Sequence, residues 1–179
     1  PYRLSYSQQQ MWVLYEMDRD SAAYSVPREW WLRGQLSMGA LTGAAEAVAA
    51  QHEMLRTRYG YSSASGSAAQ WVVAREEWVL PVNEMSVVSK VGANAAMGIE
   101  LDTVIRLEKG VMRMLVVHFG EGDGHLVVLN VHHIATDGGS DIVLDDSFMS
   151  AYGALAAGDA ADVDAPAMGY LDWAVWQRA

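Results

Sequence analysis

Cysteine is absent from the chain, which excludes disulfide staples and thiolate-ligated zinc. Basic residues are scarce. Twelve Lys and Arg stand against 22 Asp and Glu, a formal charge of −10. That balance argues against a nucleic-acid partner, which selects a basic face, and against adhesion to anionic lipid. No apolar run approaches the roughly 20 residues needed to span a bilayer, and no signal-peptide pattern precedes Pro1. No glycine-rich nucleotide fingerprint follows any strand candidate, and no internal repeat is visible. What remains is a chain that is 51% apolar, enough for a substantial core in the length of one domain. The expectation is a cytoplasmic globular protein, or a piece of one.

The most informative stretch begins at Leu126-Val127-Val128-Leu129. Its length and β-branched content are those of a strand buried on both faces. It ends in His132-His133, followed by Asp137, Gly138, Gly139 and Ser140. Ionisable groups at the end of a buried strand need partners, so this is a place where a site is built. Side chains alternate along a strand, so His132 and His133 point to opposite sides and do not share a metal. His118 and His125 are expected at opposite ends of a hairpin, from which they could not easily join the pair, and no metal site is expected. One histidine facing a cavity can take or hold a proton near neutral pH, or orient an amine nucleophile. Asp137 either orients that imidazole, as in a triad, or pairs with an arginine and holds the loop. The tight turn favours the second role, with Arg56 as the partner. Gly138 and Gly139 leave room for a ligand near the backbone, or simply make a turn. Ser140 reads better as a helix N-cap than as a nucleophile.

Elsewhere, Ser7 is expected to cap a helix from Gln8 to about Glu16, and Ser37 another that ends near residues 52–55. A strand is expected over Glu29–Arg33 after Pro27, closed by Gly34, with others at 56–59, 70–73 and 111–119. Residues 60–69 read as a mobile hairpin or loop, and Trp78–Val82 as an extended edge segment. A helix over 92–102 is weakened by Gly92 and Gly98. A hairpin turn is placed at 120–124, a helix from Ser140 or Asp141 to about Ala156, a polar linker over 158–166 and an aromatic helix over 169–177. The mixed order gives an α+β layer fold.

His132-His133-Ile134-Ala135-Thr136-Asp137-Gly138 resembles the HHxxxDG signature of nonribosomal peptide synthetase condensation domains. Three further stretches resemble that family's motifs in order: Ser5 to Leu14 (S-x-A-Q-x-R-L-W-x-L), His52 to Tyr59 (R-H-E-x-L-R-T-x-F) and Tyr170 to Gln177 (Y-x-D-Y-A-x-W-Q). The resemblance covers nearly the whole chain. It implies a fold related to chloramphenicol acetyltransferase, here a two-layer α/β lobe with a mixed, largely antiparallel sheet. It also implies that residues 1–179 are the N-terminal lobe, with the C-terminal lobe absent. The implied reaction is amide formation between an acyl or peptidyl thioester on an upstream carrier protein and an aminoacyl thioester on a downstream one. Both substrates ride on phosphopantetheine arms, and no cofactor is bound directly. By the same resemblance His133 acts on the attacking amine, His132, Asp137 and Gly138 complete the motif, and Arg56 with Asp137 supports the loop. The product class would be peptide antibiotics. Other implied readings are an epimerisation domain of the same superfamily, or a non-catalytic module docking carrier proteins or a tailoring enzyme. Four departures stand out: Gln51 replaces the second motif's first arginine, Gln10 an arginine of the first, Gly139 a tryptophan, and the F-D-L-x-x-G-P-L stretch survives only as fragments at Ile99–Leu101 and Gly110–Met112.

Overall fold

A computed structural model describes residues 1–120, 123–163 and 166–178. In chain order its elements are β1 (Tyr2–Arg3), α1 (Tyr6–Met17), β2 (Ser25–Arg33), α2 (Met38–Gln51), β3 (Thr57–Tyr61), β4 (Ala68–Val72), β5 (Val82–Val87), α3 (Lys90–Asp102), β6 (Met112–Phe119), β7 (Gly124–His132), α4 (Gly138–Ala157) and α5 (Tyr170–Gln177). Short 3-10 turns occupy Glu53–Arg56 and Arg75–Glu77. The mixture is α+β, as the sequence pattern implies.

Two sheets form. The larger has the order β2-β7-β6-β5, antiparallel except for the parallel β5–β6 pair. β7 sits inside it, and Leu126 to Val131 are fully buried. One face of β6 and β7 (Met114, Val116, Val127, Leu129) packs on Leu41, Ala45 and Val48 of α2 and Leu144 and Phe148 of α4. The other face (Leu115, Val117, Leu126, Val128) packs on Ala93 and Ala96 of α3. Helices on both faces explain why this strand is apolar without alternation. Each fully buried Val or Leu contributes about 1.5–3 kcal/mol against exposure. The smaller sheet, β1-β4-β3, joins the N-terminus to the β3–β4 hairpin.

Several boundaries differ from expectation, each for a local reason. α1 starts at Tyr6 because Ser5, not Ser7, is its cap. Ser5 and Gln8 form a reciprocal capping box, which ties up two otherwise orphaned amides. β2 runs through Pro27 rather than starting after it, because β2 is an edge strand and proline's missing donor is tolerated there. Gly34, at φ +89°, closes β2. The extended Trp78–Pro81 segment only leads into β5, which begins at Val82. α3 forms despite Gly92, whose missing Cβ lets Val87 approach: a Cβ there would stand 3.0 Å from that of Val87. The turn expected at 120–124 and the linker at 158–166 include residues 121–122 and 164–165, which lie outside the described residues.

One buried polar cluster ties the N-terminus to the centre of the chain. Gln8 and Gln70, both essentially inaccessible, exchange two amide hydrogen bonds of 3.0 Å. Gln8 also donates to the Tyr59 hydroxyl at 3.1 Å, and Gln70 to the Arg3 carbonyl at 2.9 Å. Burial raises the Tyr59 hydroxyl well above the ordinary phenol range, so it stays neutral. Satisfied in this way, the amides favour one packing over others.

Candidate active site

β7 delivers the two histidines to opposite sides. His132 is buried between the rings of Tyr15 and Tyr24, each 6.2 Å away. Its Nδ1 accepts the Ile134 amide at 3.1 Å. Burial, with a smaller contribution from His133, lowers its pKa to about 4. His132 is therefore a neutral member of the core at pH 7. His133 is exposed to the cleft side. Its amide donates to the Tyr24 carbonyl at 2.8 Å, and its Nδ1 lies 2.8 Å from the Thr136 carbonyl. A carbonyl can only accept, so in the neutral ring Nδ1 carries the proton and Nε2 is the acceptor.

Asp137 does not approach the ring nitrogen that Thr136 holds. It is the N-cap of α4: its Oδ1 accepts the Ser140 amide at 2.8 Å and the Ser140 hydroxyl at 2.6 Å. These bonds hold its carboxyl below the usual range. The expected cap at Ser140 or Asp141 is thus corrected, because the chain is still extended at Asp137 and turns helical only at Gly138. The expected Asp137–Arg56 pair is corrected too. Arg56 is buried and donates through Nε to the Ala49 carbonyl at 2.7 Å and through Nη1 to that of Val73. It fastens the end of α2 to the end of β4 rather than bonding Asp137. A Cβ at Gly138 would meet nothing within 4 Å, so the fold itself does not require glycine there.

His133, Thr136, Asp137 and Ser140 line one open cleft of about 940 Å³. Gln10 and Met11 of α1, Gln51 and His52 at the end of α2, Arg75, and Met168 and Trp173 near α5 also line it. Two of the positions where the chain departs from the family motifs, Gln10 and Gln51, therefore face this space. His52 adds a second imidazole, with its pKa lowered by burial and a buried Nε2 that has no protein partner among the described residues. In the sequence it stands in the second motif and at the end of the α2 pattern, with nothing that assigns its imidazole to the cleft. The expected placement of His118 and His125 at opposite ends of the hairpin is corrected: they stand directly across from each other on β6 and β7, 2.8 Å apart between their Nδ1 atoms, flanked by Glu84 and the Gly34 carbonyl. Among the described residues no cluster of three acidic or imidazole side chains is placed to hold a metal.

Sequence reasoning misses Arg28. Its side chain, 10% exposed, reaches from β2 to Asp141 and Asp145 of α4. The available signal is the Asp141/Asp145 spacing. Two carboxylates at i and i+4 on one helix face repel each other and call for a cation.

The family model described as "Condensation domain" matches residues 1–179. A linear gramicidin synthase polypeptide of Brevibacillus parabrevis is 30% identical over 180 residues, covering 98% of this chain and 2% of that protein. Among solved structures, the X-domain in its complex with OxyB from teicoplanin biosynthesis superposes with a TM-score of 0.84 at 25% identity, over 98% of this chain and 37% of that one. The first condensation domain of the calcium-dependent antibiotic synthetase gives a TM-score of 0.76 at 23% identity, over 92% and 40%. The chain thus spans well under half the length of these relatives.

Proposed function

We propose, from the premise that the chain belongs to the condensation-domain family, that residues 1–179 form the N-terminal lobe of a domain that makes amide bonds in nonribosomal peptide synthesis. The substrates are an acyl or peptidyl thioester on an upstream carrier protein and an aminoacyl thioester on a downstream carrier. The downstream amine nitrogen attacks the upstream thioester carbonyl. The new C–N bond forms, the C–S bond breaks, and the amine proton passes to the departing thiolate. His133 is the group assigned to the amine. The observation that carries this assignment is its Nδ1 contact with the Thr136 carbonyl, which in the neutral ring makes Nε2 the accepting nitrogen. That nitrogen can accept a hydrogen bond from the amine and take its proton as positive charge develops. Holding two tethered reactants together supplies much of the remaining rate.

The test is His133→Ala in the two-lobe protein with both carriers loaded. Amide formation should fall by about 10²-fold or more, with the melting temperature unchanged, because the side chain is exposed in the cleft. Unchanged turnover would remove His133 from the chemistry. It would favour a second reading, a docking module that recruits a tailoring enzyme. The resemblance to the X-domain seen in complex with OxyB supports that alternative. The two readings also part on binding: a docking module would hold an accessory enzyme with or without His133.

A further inference from the structure

The bond that fixes the His133 ring is made by a backbone carbonyl in a five-residue loop, and a loop carbonyl is a poor anchor unless the loop is itself held. Thr136 is buried, and its hydroxyl donates to Asp141 Oδ1 at 2.7 Å. The same carboxylate oxygen is in contact with the Arg28 guanidinium. Arg28 Nε also faces Asp145 Oδ1 at 3.2 Å, one turn further along α4. Burial works to neutralise Asp145 while Arg28 favours its charged form. Arg28 lies on the same face of β2 as Trp30, which stacks on Phe148 of α4 at 4.8 Å, so its backbone is fixed by core packing. The Asp137 side chain fixes where α4 begins by accepting from Ser140, not from Thr136.

We propose that Arg28 is a positioning residue for His133: through Asp141 and Thr136 it holds the loop carbonyl that keeps the imidazole in its Nδ1–H form with Nε2 toward the cleft. The link runs from β2 to Asp141, to the Thr136 hydroxyl, and across Thr136 to its carbonyl. Charged partners at the end of such a link stabilise one geometry more than they stabilise the fold, because the desolvation of Arg28, Asp141 and Asp145 offsets most of their attraction. Without the cation the two like charges on α4 repel, and Asp141 is drawn toward solvent, away from Thr136. The consequence for turnover rests on the assignment of His133 proposed above; the consequence for the ring does not.

The decisive measurement is ring-nitrogen NMR of His133 in the 179-residue chain. Arg28→Met and Thr136→Val should each change a single Nδ1–H tautomer into a mixture, and Arg28→Lys should restore most of the original signal. Thr136→Val keeps shape and charge, so it remains informative if Arg28→Met fails to fold. In the two-lobe protein the same substitutions should lower kcat by roughly tenfold with little change in KM, as misplacement of a reacting group does. An unchanged His133 tautomer in a folded Arg28→Met or Thr136→Val chain would overturn the inference, whatever happened to stability. A disturbed tautomer with unchanged amide formation would uphold the positioning link and instead overturn the role given to His133.

Discussion

Two adjacent histidines serve opposite ends because of a single alternation of side chains. His132 turns inward, where charging it would both desolvate an imidazolium and break the acceptor it offers to the Ile134 amide. Its pKa falls from 6.5 to about 4 on folding. Between those values the unfolded chain binds a proton that the folded chain does not. The stabilisation is therefore complete above pH 6.5 and is lost as the pH drops through this window, roughly 3 kcal/mol in all. Urea titrations across the window should show the decline, and His132→Gln should flatten the part due to this residue. A variant whose stability falls as steeply as that of the parent chain would show that His132 is not the group responsible. The residue pattern is enough to separate the two histidines, but not to orient the second. Nothing in it indicates that a backbone carbonyl, rather than Asp137, holds Nδ1.

At the scale of elements, helix caps decide what the sequence leaves open. Asp137, Ser140 and Asp141 are all good N-caps by type, and propensity cannot choose among them. The choice falls to Asp137 because β7 ends at His132 and the next five residues cross to α4 in non-helical backbone. Ser5 carries the more readable signal, since Ser-x-x-Gln is itself a capping box. From this geometry Asp137→Ala should cost about 1 kcal/mol of stability, the usual loss of a cap, and Asp137→Ser should recover most of it. Thermal melts of the two variants check the magnitude. A native melting temperature in Asp137→Ala together with lost amide formation would mean that the carboxylate serves the reaction and not the helix. The expected Arg56 pairing fails for a related reason. Charge alone matches arginine to aspartate, whereas Arg56 donates to two carbonyls at the ends of α2 and β4, contacts that carry no sequence signature.

At the scale of the whole molecule, the fold class is legible because apolar patterning survives in central elements, from the three- and four-residue recurrences of α2 to the unbroken run of β7. The second sheet is not, since it pairs β1 with β4 across a long stretch of chain, Tyr2 against Gln70. The motif stretches do meet in space: Ser5 bonds the Tyr170 hydroxyl at 2.9 Å, and Glu53 accepts the Leu171 amide at 3.3 Å. Three motif stretches thus brace one wall of the cleft that holds His133. The other side is open, and the large apolar side chains of Val143 and Met168 stand exposed along its lining. On the reading of residues 1–179 as one lobe, the chain alone can touch a loaded arm but cannot shield two of them from water or align their reacting atoms, which is where most of the rate arises. Mixed with both loaded carriers, it should release no amide above the carrier-only background, while the two-lobe protein turns over. Measurable condensation by the 179-residue chain would show that one wall suffices, and the proposed need for a second lobe would fall.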